Sequence, residues 1–259
     1  MDEYTTITAD VSGPIAQIAL NRPSAANTMN LTMTEELADV AARCAFAGVK
    51  AVLLTGTGRF FCAGGDLGDF STAPDPGPHI KRVADALHRA MSTFARMDAI
   101  VITAVNGVAA GAGMSLAASG DLVVAARSAS FTMAYTRVGL SPDGSASFVL
   151  PRLIGLRRTQ ELMLTNRTLS ADEALQWNLV NEVVDDDRLE ARATELAATI
   201  AGGSAGAQSS VKKLLLATWG SGLEEQMEAE GQLIARNAAS ADGIEGVDAF
   251  AAKRAARFA

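Results

Sequence analysis

The stretch Asn106 to Asp121, NGVAAGAGMSLAASGD, constrains this chain most. A glycine- and alanine-rich turn running into an apolar helix lets backbone approach a ligand closely. The first turn of a helix also leaves several N–H groups without partners inside the helix. Such a turn can hold a developing negative charge on main-chain donors. A second stretch of the same character, RFFCAGGDL from Arg59 to Leu67, follows the strand-like run KAVLLTG at Lys50 to Gly56. Two such turns, each entered from a strand, could each present one N–H to a single carbonyl oxygen. Taken alone, either reads as an ordinary connection.

Along the rest of the chain, Tyr4 to Val11 and Pro14 to Asn21 alternate like two strands joined at Ser12-Gly13. Asn30 or Thr32 caps the next helix, whose apolar face includes Leu37, Val40, Ala41 and Cys44. FSTAPDPGP, Phe70 to Pro78, reads as an exposed loop because of its three prolines and glycine. A helix at His79 to Met97, a strand at Ala99 to Val105, and strands at Asp121 to Ala126 and Ser130 to Met133 follow. The repeated order of strand, turn and helix suggests a spiral of β-β-α units. No G-x-G-x-x-G with a following acidic residue supports a dinucleotide-binding sheet. From Gly144 onward the pattern is helical almost throughout. Ser170 and Glu173 form a capping box, and four helices are expected at Asp186 to Ala201, Ala205 to Trp219, Gly222 to Ala239 and Asp242 to Ala255.

The net charge of −7 opposes general affinity for nucleic acid, and no apolar run reaches the length of a membrane span. The amino terminus, MDEYTTITADV, lacks the basic and apolar regions of a secretory signal. Only Cys44 and Cys62 are present, so a reducing, cytoplasmic setting is expected, with neither a disulfide framework nor a zinc cluster.

The two turns, NRPSAANTMN at Asn21 to Asn30 and the tail Phe250 to Phe258 together make the chain resemble the enoyl-CoA hydratase/isomerase (crotonase) superfamily over essentially its whole length. The resemblance implies an α/β, ClpP-like spiral of β-β-α units, residues 1–200, with a helical carboxy-terminal trimerisation region, residues 201–259. It implies an acyl-CoA thioester substrate, homo-trimers or dimers of trimers, and no metal or cofactor apart from the coenzyme A carried by the substrate. It maps the oxyanion donors onto the backbone N–H groups of Gly65 and Ala112. The coenzyme A adenine falls near Ala25, Ala63, Asp66 and Leu67, and Lys253 of the last helix is a candidate for its phosphates. From the residues alone, Asp66 also reads as a helix cap and Lys253 as a solvated lysine.

Hydratases of the family position one water with two glutamates, whose counterparts here are Ser115 and Tyr135. Neither is a carboxylate base near neutral pH. A carboxylate stands eight residues beyond Tyr135, at Asp143, where Pro-Asp-Gly by itself reads as a turn. By the resemblance, enoyl-CoA isomerases, including the ring-epoxyphenylacetyl-CoA type, carry a catalytic acid at this position. The implied reaction is a 1,3-proton shift, with Asp143 removing and returning the proton while Gly65 and Ala112 hold the enolate oxygen. A rival reading comes from 4-chlorobenzoyl-CoA dehalogenase, where an aspartate at the Asp143 position attacks the ring and a histidine at the His88 position activates water. That enzyme has a tryptophan at the Tyr135 position, and RRTQELMLTNRTL, Arg157 to Leu169, also resembles it. His88 sits among Val83, Ala84, Leu87 and Met91, so by pattern it is a helix-surface or half-buried histidine. A third reading is an acyl-CoA-binding protein without turnover.

Overall fold

The computed structural model describes residues 4–258. It opens with β1 (Ile7–Asp10) and β2 (Ile15–Leu20), antiparallel across the Ser12-Gly13 turn. Helix α1 (Leu31–Ala47) starts at Asn30, whose side chain accepts the Met33 N–H at 3.0 Å, and stops at Gly48 in the left-handed region. Asn30, and not Thr32, is therefore the cap.

Three β-β-α units follow. The first is β3 (Ala51–Gly56) and β4 (Phe60–Cys62) with helices α2 (Leu67–Thr72) and α3 (Pro76–Arg96). The second is β5 (Ile100–Val105) and β6 (Val108–Ala110) with α4 (Ala112–Ala118). The third is β7 (Leu122–Ala126) and β8 (Ser130–Thr132) with α5 (Ala146–Leu153) and α6 (Leu156–Thr165). Then come β9 (Thr168–Ser170), α7 (Ala171–Gln176), β10 (Glu182–Val184), α8 (Leu189–Ala201), α9 (Ala205–Ala217), α10 (Leu223–Ala238) and α11 (Ala241–Ala251). The first strand of each unit joins a six-stranded sheet, β1-β2-β3-β5-β7-β10, and the second joins a four-stranded sheet, β4-β6-β8-β9. Each unit thus advances both sheets by one strand, which is the spiral the sequence suggests.

The corner between the sheets is tight. A Cβ on Gly107 would lie 2.1 Å from the Arg59 carbonyl oxygen, and one on Gly56 would lie 2.5 Å from that of Phe61. Only glycine allows the chain to turn from one sheet to the other at this spacing. Asn106 ties successive corners together, accepting the Gly56 N–H at 3.1 Å and donating to the Gly58 carbonyl at 2.8 Å. Every residue of β5 is buried, as expected of a central parallel strand covered on both faces.

Three expectations change. Phe70 to Pro78 is not one loop: α2 carries Phe70 inward, where it is buried, and α3 begins at Pro76, leaving 73–75 as the connection. Proline at the first helical position lacks only an N–H that would have had no partner anyway, so Pro76 starts the helix instead of blocking it. The region beyond Gly144 also contains β9 and β10, each of three residues and so too short to show a period. The last helix ends at Ala251, not Ala255. Lys253 (φ 52°) donates its N–H to the Phe250 carbonyl and Arg254 donates to Ala249, a Schellman stop with lysine at the left-handed position. The capping box of Ser170 and Glu173 is present as predicted.

Helix α9 is fixed to the spiral by Lys212, a buried lysine. Its ammonium donates to the Phe94 and Ala99 carbonyls at 2.7 and 2.8 Å and pairs with Asp121 at 2.6 Å. Helix α10 packs on α9 and α11.

The fully buried Asn27 holds the segment that positions the first small-residue turn. Its carbonyl oxygen accepts the Arg22 N–H at 2.8 Å, and its amide donates to the Thr57 and Phe60 carbonyls at 3.0 and 2.8 Å. Its backbone is left-handed (φ 53°), a conformation asparagine adopts more readily than most residues. Asn27→Ala removes all three bonds and leaves alanine at that φ. The expected loss is about 3 kcal/mol or more of unfolding free energy in urea denaturation. A loss below about 1 kcal/mol would show that water replaces the side chain without cost.

Candidate active site

The two small-residue turns meet backbone to backbone. A Cβ on Gly64 (φ 104°) would stand 3.0 Å from the Ala110 carbonyl oxygen, and one on Gly113 would stand 2.2 Å from that of Cys62. Any side chain at Gly113 would drive α4 away from the end of β4. From the other side the first turn is held by the segment after Asn27. Met29 N–H donates to the Gly64 carbonyl at 2.8 Å, Asp66 N–H to that of Met29 at 3.0 Å, and Ala63 N–H to that of Ala26 at 3.0 Å. These bonds use the groups flanking Gly65. The N–H groups of Gly65 and Ala112 are taken by no carbonyl among the described residues, the latter because it begins α4.

Gly65 and Ala112 line one cavity of about 450 Å³ together with Tyr135 and Asp143. Phe70 closes one wall, with its ring so near Gly65 that a Cβ there would lie 2.7 Å from it. Val83, Ala84 and Leu87 of α3 supply an apolar side. Asp143 is the one carboxylate among the described residues lining this space.

Asp143 is held at several atoms. The Tyr135 hydroxyl donates to its Oδ1 at 2.5 Å, and the Ser115 hydroxyl donates to its backbone carbonyl at 3.1 Å while lying 3.2 Å from the Tyr135 oxygen. The hydroxyls of Ser115 and Tyr135 are thus both spent on fixing Asp143. Burial, then the charge of Asp143 and the bond to it, raise the Tyr135 phenol above its ordinary value, so it remains a donor. Oδ2 is not part of that bond. His88 lies on the far side of Asp143, with Nε2 at 3.6 Å from Oδ2 and 3.1 Å from the Gly144 nitrogen, whose N–H it accepts. The helix-surface reading of His88 is incomplete: the side chain is half-exposed, yet it contacts the loop that bears Asp143.

The expected coenzyme A positions divide. Ala63 and Leu67 line the cavity, whereas Ala25 and Asp66 are not among its lining residues. Asp66 caps α2 by accepting the Asp69 N–H at 3.2 Å and pairs with Arg22 at 2.9 Å. Burial pushes its carboxyl up, but the Asp69 N–H and Arg22 outweigh this and hold it below its ordinary value. The cap reading therefore holds for Asp66. Lys253 is exposed, beyond the end of α11, and is not among the residues lining the cavity. Among the described residues, no group of three or more histidine, cysteine, aspartate or glutamate side chains could hold a metal, and no helix is long and apolar enough to cross a membrane. Sequence reasoning missed Gly144, which gave no signal beyond its place in Pro-Asp-Gly, and placed Phe70 in an exposed loop because of the prolines that follow it.

Residues 10–259 match the family model described as enoyl-CoA hydratase/isomerase. The chain is 38% identical to 1,2-epoxyphenylacetyl-CoA isomerase of Escherichia coli over 97% of both chains. It is 34% identical to 4-chlorobenzoyl coenzyme A dehalogenase-2 of Arthrobacter, over 80% of this chain and 76% of that one. Among solved structures, an enoyl-CoA hydratase from Bacillus anthracis superposes with a TM-score of 0.92 at 31% identity, over 98% of this chain and 99% of the other.

Tyr135 and Tyr4 are the two tyrosines of the chain, and both have raised phenol pKa values. Tyr4 is pushed up to about 12 by burial and its bond to Asp39. The folded state thus prefers the protonated phenols. Their contribution to stability is full below the ordinary value of 10.0 and declines as pH rises past it toward the folded values. Phenolate absorbance should stay low through pH 10.0 and rise above it, Tyr4 titrating first, near pH 12. Half the tyrosine signal titrating near 10.0 would mean that one of the two phenols has neither the burial nor the hydrogen bond seen here.

Proposed function

Because the chain belongs to the enoyl-CoA hydratase/isomerase family, we propose that it is an isomerase that moves a carbon–carbon double bond of an acyl-CoA thioester by a 1,3-proton shift. The thioester carbonyl accepts the N–H groups of Gly65 and Ala112. Asp143 takes the proton from C2 of a 3-enoyl chain, and the charge spreads into a dienolate whose oxygen the two N–H groups stabilise. Main-chain donors of this kind are each worth about 3 kcal/mol to a transition state of developing oxyanion character. The protonated Asp143 then gives the proton to C4, leaving the 2-enoyl thioester. One carboxylate is sufficient because it is base and then acid.

The observation that carries this reading is the pairing of a single lining carboxylate with Ser115 and Tyr135, both engaged in holding it. Addition of water as the hydratases perform it calls for a second carboxylate, and Tyr135 with its raised pKa does not replace one. Coenzyme A runs past Ala63 and Leu67, with Ala25 and Asp66 shaping its adenine site and Lys253 available to its phosphates. Residues 1–200 form the catalytic unit and 201–259 the oligomerisation region of a trimer or dimer of trimers. Apolar side chains left exposed on α9 to α11, such as Leu215, Ile234 and Val247, and Trp219 in the turn after α9, support that assignment. The approach of His88 to Asp143 favours one second reading, hydrolysis of a 4-halobenzoyl thioester with Asp143 as nucleophile.

Incubation with 3-enoyl-CoA, 2-enoyl-CoA and 4-halobenzoyl-CoA separates these. Conversion of the 3-enoyl to the 2-enoyl thioester without change of mass is expected, reduced by about 100-fold or more in Asp143→Asn. Gain of water on the 2-enoyl substrate, or halide release, would replace the isomerase with a hydratase or a dehalogenase. Binding without turnover of any of them would leave an acyl-CoA-binding protein.

A further inference from the structure

The loop that carries Asp143 does not hold itself in place. Gly144 (φ 58°) and Ser145 (φ 60°) are both left-handed, and for serine that conformation costs about 1 kcal/mol or more. Space is also restricted, because a Cβ on Gly144 would lie 2.9 Å from Cβ of Ser115. Gly144 is buried, and its N–H has one acceptor among the described residues, Nε2 of His88 at 3.1 Å. A buried N–H left without an acceptor is costly, so the loop conformation depends on that nitrogen.

The same bond constrains the ring. A nitrogen that accepts an N–H uses its lone pair for that bond, so the contact calls for Nε2 without a proton. The approach of Nε2 to Asp143 Oδ2, at 3.6 Å, exceeds hydrogen-bond distance and would become an ion pair only with a proton on Nε2. A general base acting on water at Asp143 needs that lone pair free, and Gly144 occupies it.

We propose that His88 is a positioning residue for Asp143: its unprotonated Nε2 anchors the Gly144 N–H and so aims the carboxylate, which Tyr135 holds at Oδ1, into the cavity between the two oxyanion donors. The inference rests on the isomerase reading for its kinetic consequence but not for its geometry. Tyr135 fixes one end of the carboxylate and His88 fixes the backbone next to it. Together they leave Oδ2 free to move the proton.

The test compares His88→Gln, His88→Leu and Asp143→Asn in the intact protein with a 3-enoyl-CoA. Glutamine puts a carbonyl oxygen at about the place of Nε2, accepting the Gly144 N–H without being titratable, whereas leucine offers no acceptor. His88→Gln should retain kcat within a few-fold, and His88→Leu should lose about 10- to 100-fold in kcat with KM nearly unchanged, the scale expected of a misaimed group. Glutamine as inactive as leucine would overturn the positioning role, as would a fully active leucine variant. Loss of activity in Asp143→Asn is required by the isomerase reading separately. If that variant keeps full activity, the function fails whatever His88 does. A readout without turnover keeps the two apart: nitrogen NMR of His88 should show Nδ1 protonated and Nε2 bare, and amide exchange at Gly144 should accelerate in His88→Leu but not in His88→Gln. A proton on Nε2, or unchanged exchange in the leucine variant, would overturn the geometry itself.

Discussion

The contact on which the rest of this molecule depends is the one between two turns of main chain, Cys62 to Gly65 against Ala110 to Gly113. It can form only because Gly64 and Gly113 present no Cβ to the facing carbonyl oxygens. The two sheets advance together through tight glycine corners, and this registers the ends of β4 and β6 so that the turns arrive side by side. Asn27 and the Met29 bonds then press the first turn from outside. What is left over from all this bonding is a pair of N–H groups facing one cavity. The fold makes them available by using their neighbours and sparing them.

Opposite that pair, two hydroxyl groups support a single carboxylate. Ser115 and Tyr135 touch each other through their hydroxyls, and both bond to Asp143. A carboxylate fixed by a phenol at one oxygen, with backbone fixed on either side, is suited to moving one proton along a short path. It is poorly suited to splitting a water between two groups. The same economy limits His88, whose nearer nitrogen is already engaged by Gly144. In the proposed isomerase reading, reaction type follows from which lone pairs remain free.

The spiral was legible in the sequence because its signals are local: apolar strands, small-residue turns and helices in a repeated order. The two turns themselves could be named to the residue, since only glycine and alanine permit so close an approach. Less legible was anything decided across long separations. Phe70 was hidden in a proline-rich run, yet its ring packs on Gly65. The strands β9 and β10 owe their existence to the edges of sheets built much earlier in the chain, not to their three residues each. Lys253 looked helical by pattern, but a Schellman stop with Lys253 itself in the left-handed position ends the helix at Ala251. At the site, the pattern identified Asp143 and His88 separately. It could not reveal that Gly144 would join them, because that bond spans 56 residues.

The central claim is that one carboxylate, held on one side of the acyl chain, both removes and returns the proton. The stereochemistry of the shift tests it most directly. A 3-enoyl-CoA stereospecifically deuterated at C2, and the product formed in deuterated water, would reveal by NMR which face loses the proton and which face gains one at C4. Loss and gain on the same face is the predicted result. Loss on one face and gain on the other would contradict the account, since it would require a second acid across the cavity from Asp143.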